Sequence, residues 1–476
     1  MDNGQTLPWT LSDILKTTGG ELLSGDPMQG FENIGIDSRD IAPRDVFVAI
    51  AGDVHDGHTF VNDVVQQGVS GLIVSREKSA DLPVTDWQAR QIACVAVADT
   101  TRALGDLAAY HRSRTHVPLT AITGSNGKTT TRQMTAQVVA QKYNTLATIG
   151  NYNNQIGVPL TLLRLTGEYE HAVVELGTNS PGEIARLSQI CAPDIGVVTN
   201  VGPAHLEGLG SLDGVMREKE QLIEHLKAGG KAVLNADDRR VYQMASRTER
   251  EKLLFGLSKE AGIRATAVTE RTGGISFRLH LPDEHLTVAL SVPGQFMVLN
   301  ALAAAAVGYL LKLSAEDIKA GLESFEPVWG RMDIFQTANG IHIIDDTYNA
   351  NPESMKAAIT TLRTLRRNNR SLFVAGDMLE LGDQSEALHK QVGAWAAAAN
   401  IDKLLVTGDF ANAVAAGAMS AKMKPADIFT GTRDEIIDTL KQSLKAGDWV
   451  LIKGSRGARM ETIVKGLKSW AGMKED

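Results

Sequence analysis

The stretch "AITGSNGKTT", Ala121 to Thr130, decides the fold. An apolar run, "PLTAIT" (118–123), leads into it, and a helix-forming stretch, "KTTTRQMTAQVVAQK" (128–142), leads out. Strand, glycine-rich turn and helix in that order make a phosphate-binding loop. Gly124 and Gly127 let backbone N–H groups approach an anion without a Cβ in the way. Lys128 can reach terminal phosphates, and Thr129 carries a hydroxyl where phosphate loops place a magnesium ligand. The helix that follows points its positive end at the same anion. The common pattern, G-x-x-x-x-G-K-[ST], puts its first glycine at position 122, where this chain has Ile122.

Working outward, residues from about 116 to 325 hold further apolar runs: "HAVVEL" (171–176), "IGVVTN" (195–200) and "KAVLN" (231–235). Strands separated by helical patterns predict a parallel, doubly wound sheet with ligands at the C-terminal strand ends. Residues 1 to about 115 read as a small α/β domain, with "DVFVAI" (45–50), "GLIVS" (71–75), "IACVAVAD" (92–99) and the helical "TTRALGDLAAYHRSR" (100–114). Residues from about 326 to 476 repeat the alternation in "IHIIDD" (341–346), "SLFVAG" (371–376), "KLLVTG" (403–408) and "DWVLIKGS" (448–455), a second Rossmann-like sheet. "FEPVWGRMD" (325–333) reads as the linker, with a Pro and a Gly between helix and strand. The expected fold is therefore α/β in three domains: 1–115, 116–325 and 326–476. Domains in series place clefts between them, which suits an enzyme that joins separate substrates.

Composition bounds the function. The 476 residues are 43% hydrophobic and 22% charged, enough for two to four globular cores. A net charge of −8 argues against a nucleic-acid partner, while a local positive pocket still suits a small polyanion. The 2 cysteines, Cys94 and Cys191, stand far apart, which excludes a disulfide framework or zinc knuckle and fits a reducing compartment. The first residues, "MDNGQTLPWTLSDILK", lack the basic and apolar regions of a signal peptide. "VLNALAAAAVGYLL" (298–311) is too short to span a bilayer and reads as a buried helix. The expected setting is cytoplasmic, with no membrane insertion.

Several stretches carry candidate chemistry. Glu175 ends an apolar strand beside the loop, where a carboxylate can hold magnesium. Glu183, after Pro181-Gly182, sits in a first helical turn and reads as dipole compensation. His205 follows a strand and a Gly-Pro turn, so it faces the same sheet edge. Lys219, between Glu218 and Glu220 in a helix from about Leu212, reads from its neighbours as a solvated face. In the first domain His55-x-x-His58 with Asp53 and Asp56 invites a metal reading, but nothing completes a ligand set, and a polar substrate loop is preferred. Asp345 and Asp346 end a strand before a turn with Asn349, Asn351 and Pro352; they could serve ribose hydroxyls, magnesium or an amine. Lys453, Gly454, Ser455 and Arg456 follow the last strand in an anion-friendly turn.

Taken in order, these stretches resemble the Mur ligases of peptidoglycan synthesis over nearly the whole chain. That family's phosphate loop, T-G-[ST]-N-G-K-T-[ST], also lacks the distant first glycine, so Ile122 fits. "GNYNNQIGVPLTLL" (150–163), "AHLEGLGSL" (204–212) and "DDTYNANPESM" (345–355) look like the member that acts last. The member adding the third amino acid usually carries D-N-P-R where this chain has "NANPES".

The resemblance implies an ATP-dependent amide ligase that joins D-alanyl-D-alanine to UDP-N-acetylmuramoyl-tripeptide through an acyl phosphate. The alternatives are another Mur ligase, a ligase like folylpolyglutamate synthase, and a P-loop ATP-binding switch. Gly124, Ser125, Asn126, Gly127, Lys128, Thr129 and Thr130 would bind ATP phosphates, with Asn300 on the base and Arg331 and Asp346 closing over the nucleotide. Thr129, Glu175, His205 and Lys219 would hold magnesium, two ions in all, Lys219 as a carbamate. Lys128, Lys219 and His205 are the expected catalytic groups. Ser38, Arg39, Asp56, Gly57 and His58 look like the UDP-sugar site. Asn151, Asn153, Asn154, Asn349, Asn351, Lys453 and Ser455 are the remaining expected substrate contacts. The family often writes G-x-H-N-x-x-N-A before the Asn300 helix; this chain has "GQFMVLNA", so Phe296 and Met297 replace the usual His-Asn and change the adenine contact set. A monomer is expected.

Overall fold

The computed structural model describes residues 8–52, 55–271, 273–327 and 329–473. Its strands fall into three main sheets, one in each of the expected regions.

In the first region Ile34–Gly35, Val46–Val48, Gly71–Ser75 and Ala93–Val97 run parallel, and Glu21–Ser24 adds an antiparallel edge. Side chains alternate across this sheet with the period of a strand. Val46 and Val48 join one apolar cluster with Ile73, Val95 and Leu104, while Phe47 and Ala49 join another with Leu72, Trp87 and Cys94. The helix Thr100–Arg114 covers the first face and also reaches the next region: Arg112 Nε donates to Cys191 O at 3.0 Å.

The central sheet has nine strands. Leu119–Thr123 lies between His171–Glu175 and Ile195–Val198, all parallel and all fully buried, as a strand covered on both faces must be. Thr145–Ala147 closes one side; Lys231–Asn235, Lys252–Gly256 and Ile263–Arg271 extend the other. Beyond them Gly274–His280 and His285–Leu290 are antiparallel. The expectation of a parallel sheet thus holds at the loop and ends at this hairpin, where short turns join neighbouring strands without a crossover helix. Helix Gln295–Leu310 is apolar all round and buried from Met297 to Gly308 except Leu299, as its composition predicts. It packs on the loop helix, Lys128–Ala140, where an added Cβ at Gly308 would come 2.7 Å from Val138 Cγ1.

The last sheet has six strands: His342–Asp346, Trp449–Lys453, Ser371–Ala375, Lys403–Val406 and Ile428–Thr430 in parallel, with Asp333–Gln336 antiparallel at the edge. One face packs against helices Arg433–Ser443 and Glu461–Trp470. The other face, with Ile344, Phe373 and Leu451, belongs to the apolar cluster that also contains the central core. Within the linker Gly330 takes φ +68°, a turn conformation that favours glycine; Val328 lies outside the described residues.

Candidate active site

A cleft of about 630 Å³ opens between the central and last sheets, at the C-terminal ends of their strands. Its floor is the glycine-rich loop. Ser125 N donates to Asn200 O at 3.0 Å and Asn126 N to Asn200 Oδ1 at 2.7 Å, so the first amides of the turn are used in holding it. The amides of Gly127, Lys128, Thr129 and Thr130 donate to no protein group among the described residues. They are the free N-terminal donors of the helix Lys128–Ala140, an anion cradle. Gly127 has φ +77°, and a Cβ there would overlap Asn300 Oδ1. Gly124, under the floor, would place a Cβ on Thr199 Oγ1.

Lys128 Nζ donates to Gly124 O at 2.8 Å, within its own loop. Burial lowers its pKa, Arg331 pushes the same way, and Glu175 opposes both. Glu175 is 1% exposed; its Oε1 accepts from Asn153 Nδ2 at 2.7 Å, and its Oε2 is buried without a partner. Arg132 Nε, 4.0 Å from that oxygen, is equally without a hydrogen bond. A buried carboxylate oxygen left unpaired, in a cleft that Thr129 also lines, fits a divalent cation.

His205 lines the cleft from the other neighbouring strand, at φ +54° and at the start of the short helix Leu206–Leu209. Its Nδ1 pairs with Glu380 Oε2 of the last domain. Lys219 stands behind the cleft in helix Leu212–Glu224 and is 1% exposed. The solvated-face reading of Glu218 and Lys219 is therefore corrected. Glu218 turns inward because its carboxylate caps the neighbouring helix Glu183–Cys191, accepting from Gly182 N at 2.8 Å and Ile184 N at 2.7 Å. Burial and nearby Lys128 both push the Lys219 amine well below the usual lysine range.

The roof comes from the last domain. Arg331 stacks over Tyr348, 4.1 Å from the ring centroid. Asp346 Oδ2 accepts from Lys453 Nζ at 2.6 Å, and both line the cleft. Its neighbour Asp345 points to the opposite face, where it accepts the Thr347 hydroxyl at 2.6 Å, so the strand's alternation splits the pair. Asn349 lends its carbonyl to Lys453 Nζ at 2.9 Å. Asn351 caps helix Pro352–Leu365 and reaches Asn126 across the seam. Ser455 is buried behind the roof, donating to Ala350 O at 3.1 Å. Asn151, Asn153 and Asn154 line the side wall, with Asn154 Oδ1 accepting from Gly157 N at 2.9 Å.

The first domain's candidates do not line this cleft. Arg39 pairs with Asp37 at 2.6 Å on the surface, beside Ser38. Both ring nitrogens of His58 are engaged, one with Asp56 at 2.8 Å and one accepting from Ser75 N at 2.8 Å. Asp56 also pairs with Lys78. Gly57 lies where a Cβ would come 2.8 Å from Ile50 N. Asp53 lies outside the described residues.

Three family patterns run through the chain in order: the Mur ligase family catalytic domain at 30–112, the Mur ligase middle domain at 122–308 and the Mur ligase glutamate ligase domain at 330–456. An Escherichia coli K12 protein named UDP-N-acetylmuramoyl-tripeptide--D-alanyl-D-alanine ligase is 37% identical over 462 residues, covering 96% of this chain and 98% of its own. The chain belongs to the Mur ligase family. It is an ATP-dependent ligase. A crystal structure of MurF from Acinetobacter baumannii superposes on this ligase with a TM-score of 0.87 at 34% identity, covering 98% of this chain and 99% of that one. MurF from Thermotoga maritima, solved in complex with ADP, gives 0.81 at 28% identity, covering 92% and 98%.

Several residues of the ligase's cleft escape the sequence reading. Asn200 anchors the loop, yet its only signal is its place at the end of "IGVVTN". Phe255 and Leu299 are two more; with Phe296 and Met297, which the sequence already marks, they form an apolar wall where the family pattern is polar. Asn300, expected from the sequence, lines the cleft beside this wall, and its Oδ1 accepts from the Thr131 hydroxyl at 3.2 Å. Glu353 reaches the cleft from the last domain, where Asn126 Nδ2 donates to it at 3.2 Å. Burial raises its pKa, and Asp238 adds to the effect.

Proposed function

We propose that this ligase joins D-alanyl-D-alanine to UDP-N-acetylmuramoyl-tripeptide at the expense of ATP, forming the UDP-MurNAc-pentapeptide. The observation that carries this reading is the set of four free amides at Gly127 to Thr130, roofed by the last domain's Arg331 and Lys453. A cradle for phosphates under a second domain suits transfer of a phosphoryl group to another substrate.

A carboxylate resists attack by an amine because oxide is a poor leaving group. The tripeptide carboxylate oxygen therefore attacks the γ-phosphorus, the bond to the β-phosphate oxygen breaks, and ADP leaves. The D-alanyl-D-alanine nitrogen then attacks the acyl carbon, the carbon–oxygen bond breaks, and phosphate leaves as the amine loses its proton. The protein's work is alignment and charge neutralisation. The amides of Gly127 to Thr130 hold the phosphates on the loop that Gly124, Ser125 and Asn126 shape, and Lys128, released from Gly124 O, turns its charge to them. Asn300 and the Phe296–Met297 wall take the base; Arg331 and Asp346 close over the nucleotide. Asn151, Asn153, Asn154, Asn349, Asn351 and Lys453 face the acyl and amine substrates, and Ser455 holds the turn that presents them. The roof excludes water from the acyl phosphate.

Thr129, Glu175, His205 and a carbamate on Lys219 would hold two magnesium ions, which when bound offset phosphate charge and polarise the transferred group. The unpaired Glu175 Oε2 supports this. A lysine must be neutral to take up CO2, and the buried Lys219 favours the neutral amine. Residues 1–115, with Ser38, Arg39, Asp56, Gly57 and His58, are assigned to the UDP-sugar, residues 116–325 to ATP, and 326–476 to closure. One chain supplies the whole cleft, so a monomer suffices, working in the cytoplasm where ATP is made.

Phosphate release from ATP, with and without both substrates, tests the proposal. Release should require UDP-N-acetylmuramoyl-tripeptide and D-alanyl-D-alanine together; release that ignores both would refute it.

A further inference from the structure

His205 and Glu380 come from different domains and meet at two points. The His205 ring pairs through Nδ1 with the Glu380 carboxylate, and Glu207 N donates to Glu380 O at 3.2 Å. Both residues sit at positive φ, +54° and +62°, with His205 directly before the short helix Leu206–Leu209. The Glu380 turn is fixed from behind: Leu379 N donates to Ser455 Oγ at 2.9 Å, and Ser455 Oγ donates to Ala350 O at 3.1 Å. It moves with the roof. His205 Nε2 has no hydrogen-bond partner among the described residues, and His205 lines the cleft.

A carboxylate on one imidazole nitrogen fixes the proton there and leaves the lone pair on the other. We propose that Glu380 is a positioning residue: docking of the last domain sets His205 with Nδ1–H toward Glu380 and the Nε2 lone pair toward the cleft, so that closure completes the divalent-ion site. The inference rests on the reading of His205 as a metal ligand. It makes ion affinity depend on a residue that touches neither ion nor substrate. It also gives a physical order of events, in which the ion is held tightly only after the roof is down.

Mn2+ binding to the full-length enzyme, followed by electron paramagnetic resonance of the free ion in the presence of a non-hydrolysable ATP analogue, tests this without turnover. Glu380→Ala should weaken Mn2+ binding roughly tenfold or more. Glu380→Gln, which keeps an oxygen acceptor for Nδ1–H, should recover most of that loss. Circular dichroism checks that the half-exposed position leaves the fold intact. Unchanged Mn2+ affinity in Glu380→Ala, with loss in His205→Ala, overturns the proposal and leaves the metal reading of His205 standing. Unchanged affinity in His205→Ala overturns both. An enzyme that ignores the two peptide substrates yet shows the Glu380 effect refutes the proposed reaction and supports the positioning role.

Discussion

Asn351 Nδ2 donates to Asn126 Oδ1 at 2.7 Å, tying the cap of the last domain's first long helix to the phosphate loop of the central sheet. Asn126 also donates to Glu353 at 3.2 Å, while its backbone stays bound to Asn200 and Thr199. The side chain reports on the roof, and the backbone holds the loop. Asn126→Ala should therefore lower kcat about tenfold, the worth of one hydrogen bond to a charged or well-aligned partner. ATP affinity measured calorimetrically should change much less. A large loss of affinity with kcat intact would show that the side chain serves the nucleotide instead.

Gly127 is the glycine on the cleft side of the loop, and it has no room for a side chain. A Cβ would overlap Asn300 Oδ1 in a conformation, φ +77°, that costs other residues about 1–3 kcal/mol. Gly127→Ala should weaken ATP binding about tenfold or more, read by titration calorimetry, and lower urea stability only by the strain.

If Lys219 carries the proposed carbamate, Lys219→Ala should abolish amide formation. Activity should return in part with added acetate or formate, whose carboxylate replaces the anion. Full activity without them would refute the carbamate, and circular dichroism separates loss of function from loss of fold.

His171 opens a strand of the central sheet and is buried, sharing a hydrogen bond with the Thr120 hydroxyl at 3.0 Å. Burial pushes its pKa down to about 4, from 6.5 in the unfolded chain. The unfolded state then binds more protons between those values, so stability is full above about pH 6.5 and falls as pH drops toward 4. The gap corresponds to about 3 kcal/mol at most. His171→Gln should flatten this part of the stability–pH curve, measured by urea unfolding at successive pH values.

Much of this was legible in the order of residues. The continuous burial of Leu119–Thr123 follows from its apolar run, and the free amides of the loop follow from glycines set before a helix. The helix Gln295–Leu310, apolar apart from Gln295 and Asn300, had nowhere to lie but inside. The antiparallel hairpin at 274–290 was not legible, because its strands are mixed in composition and only their pairing sets their direction. Nor was the splitting of Asp345 from Asp346, which depends on which face of the strand meets the cleft.

By itself, the sequence determined the local devices of this protein: strands that must be buried, a turn that must bind an anion, helices with their caps. These depend on backbone geometry and side-chain solubility within a few residues. Only the tertiary structure decided which distant groups meet. Lys219 among acidic neighbours reads as a surface lysine until Glu218 is seen capping another helix and drawing that face inward. Glu380 reads as a loop carboxylate until it stands against His205, 175 residues away in the chain. Charge has meaning only in its surroundings, and burial and partners at that distance are set by packing the sheets together.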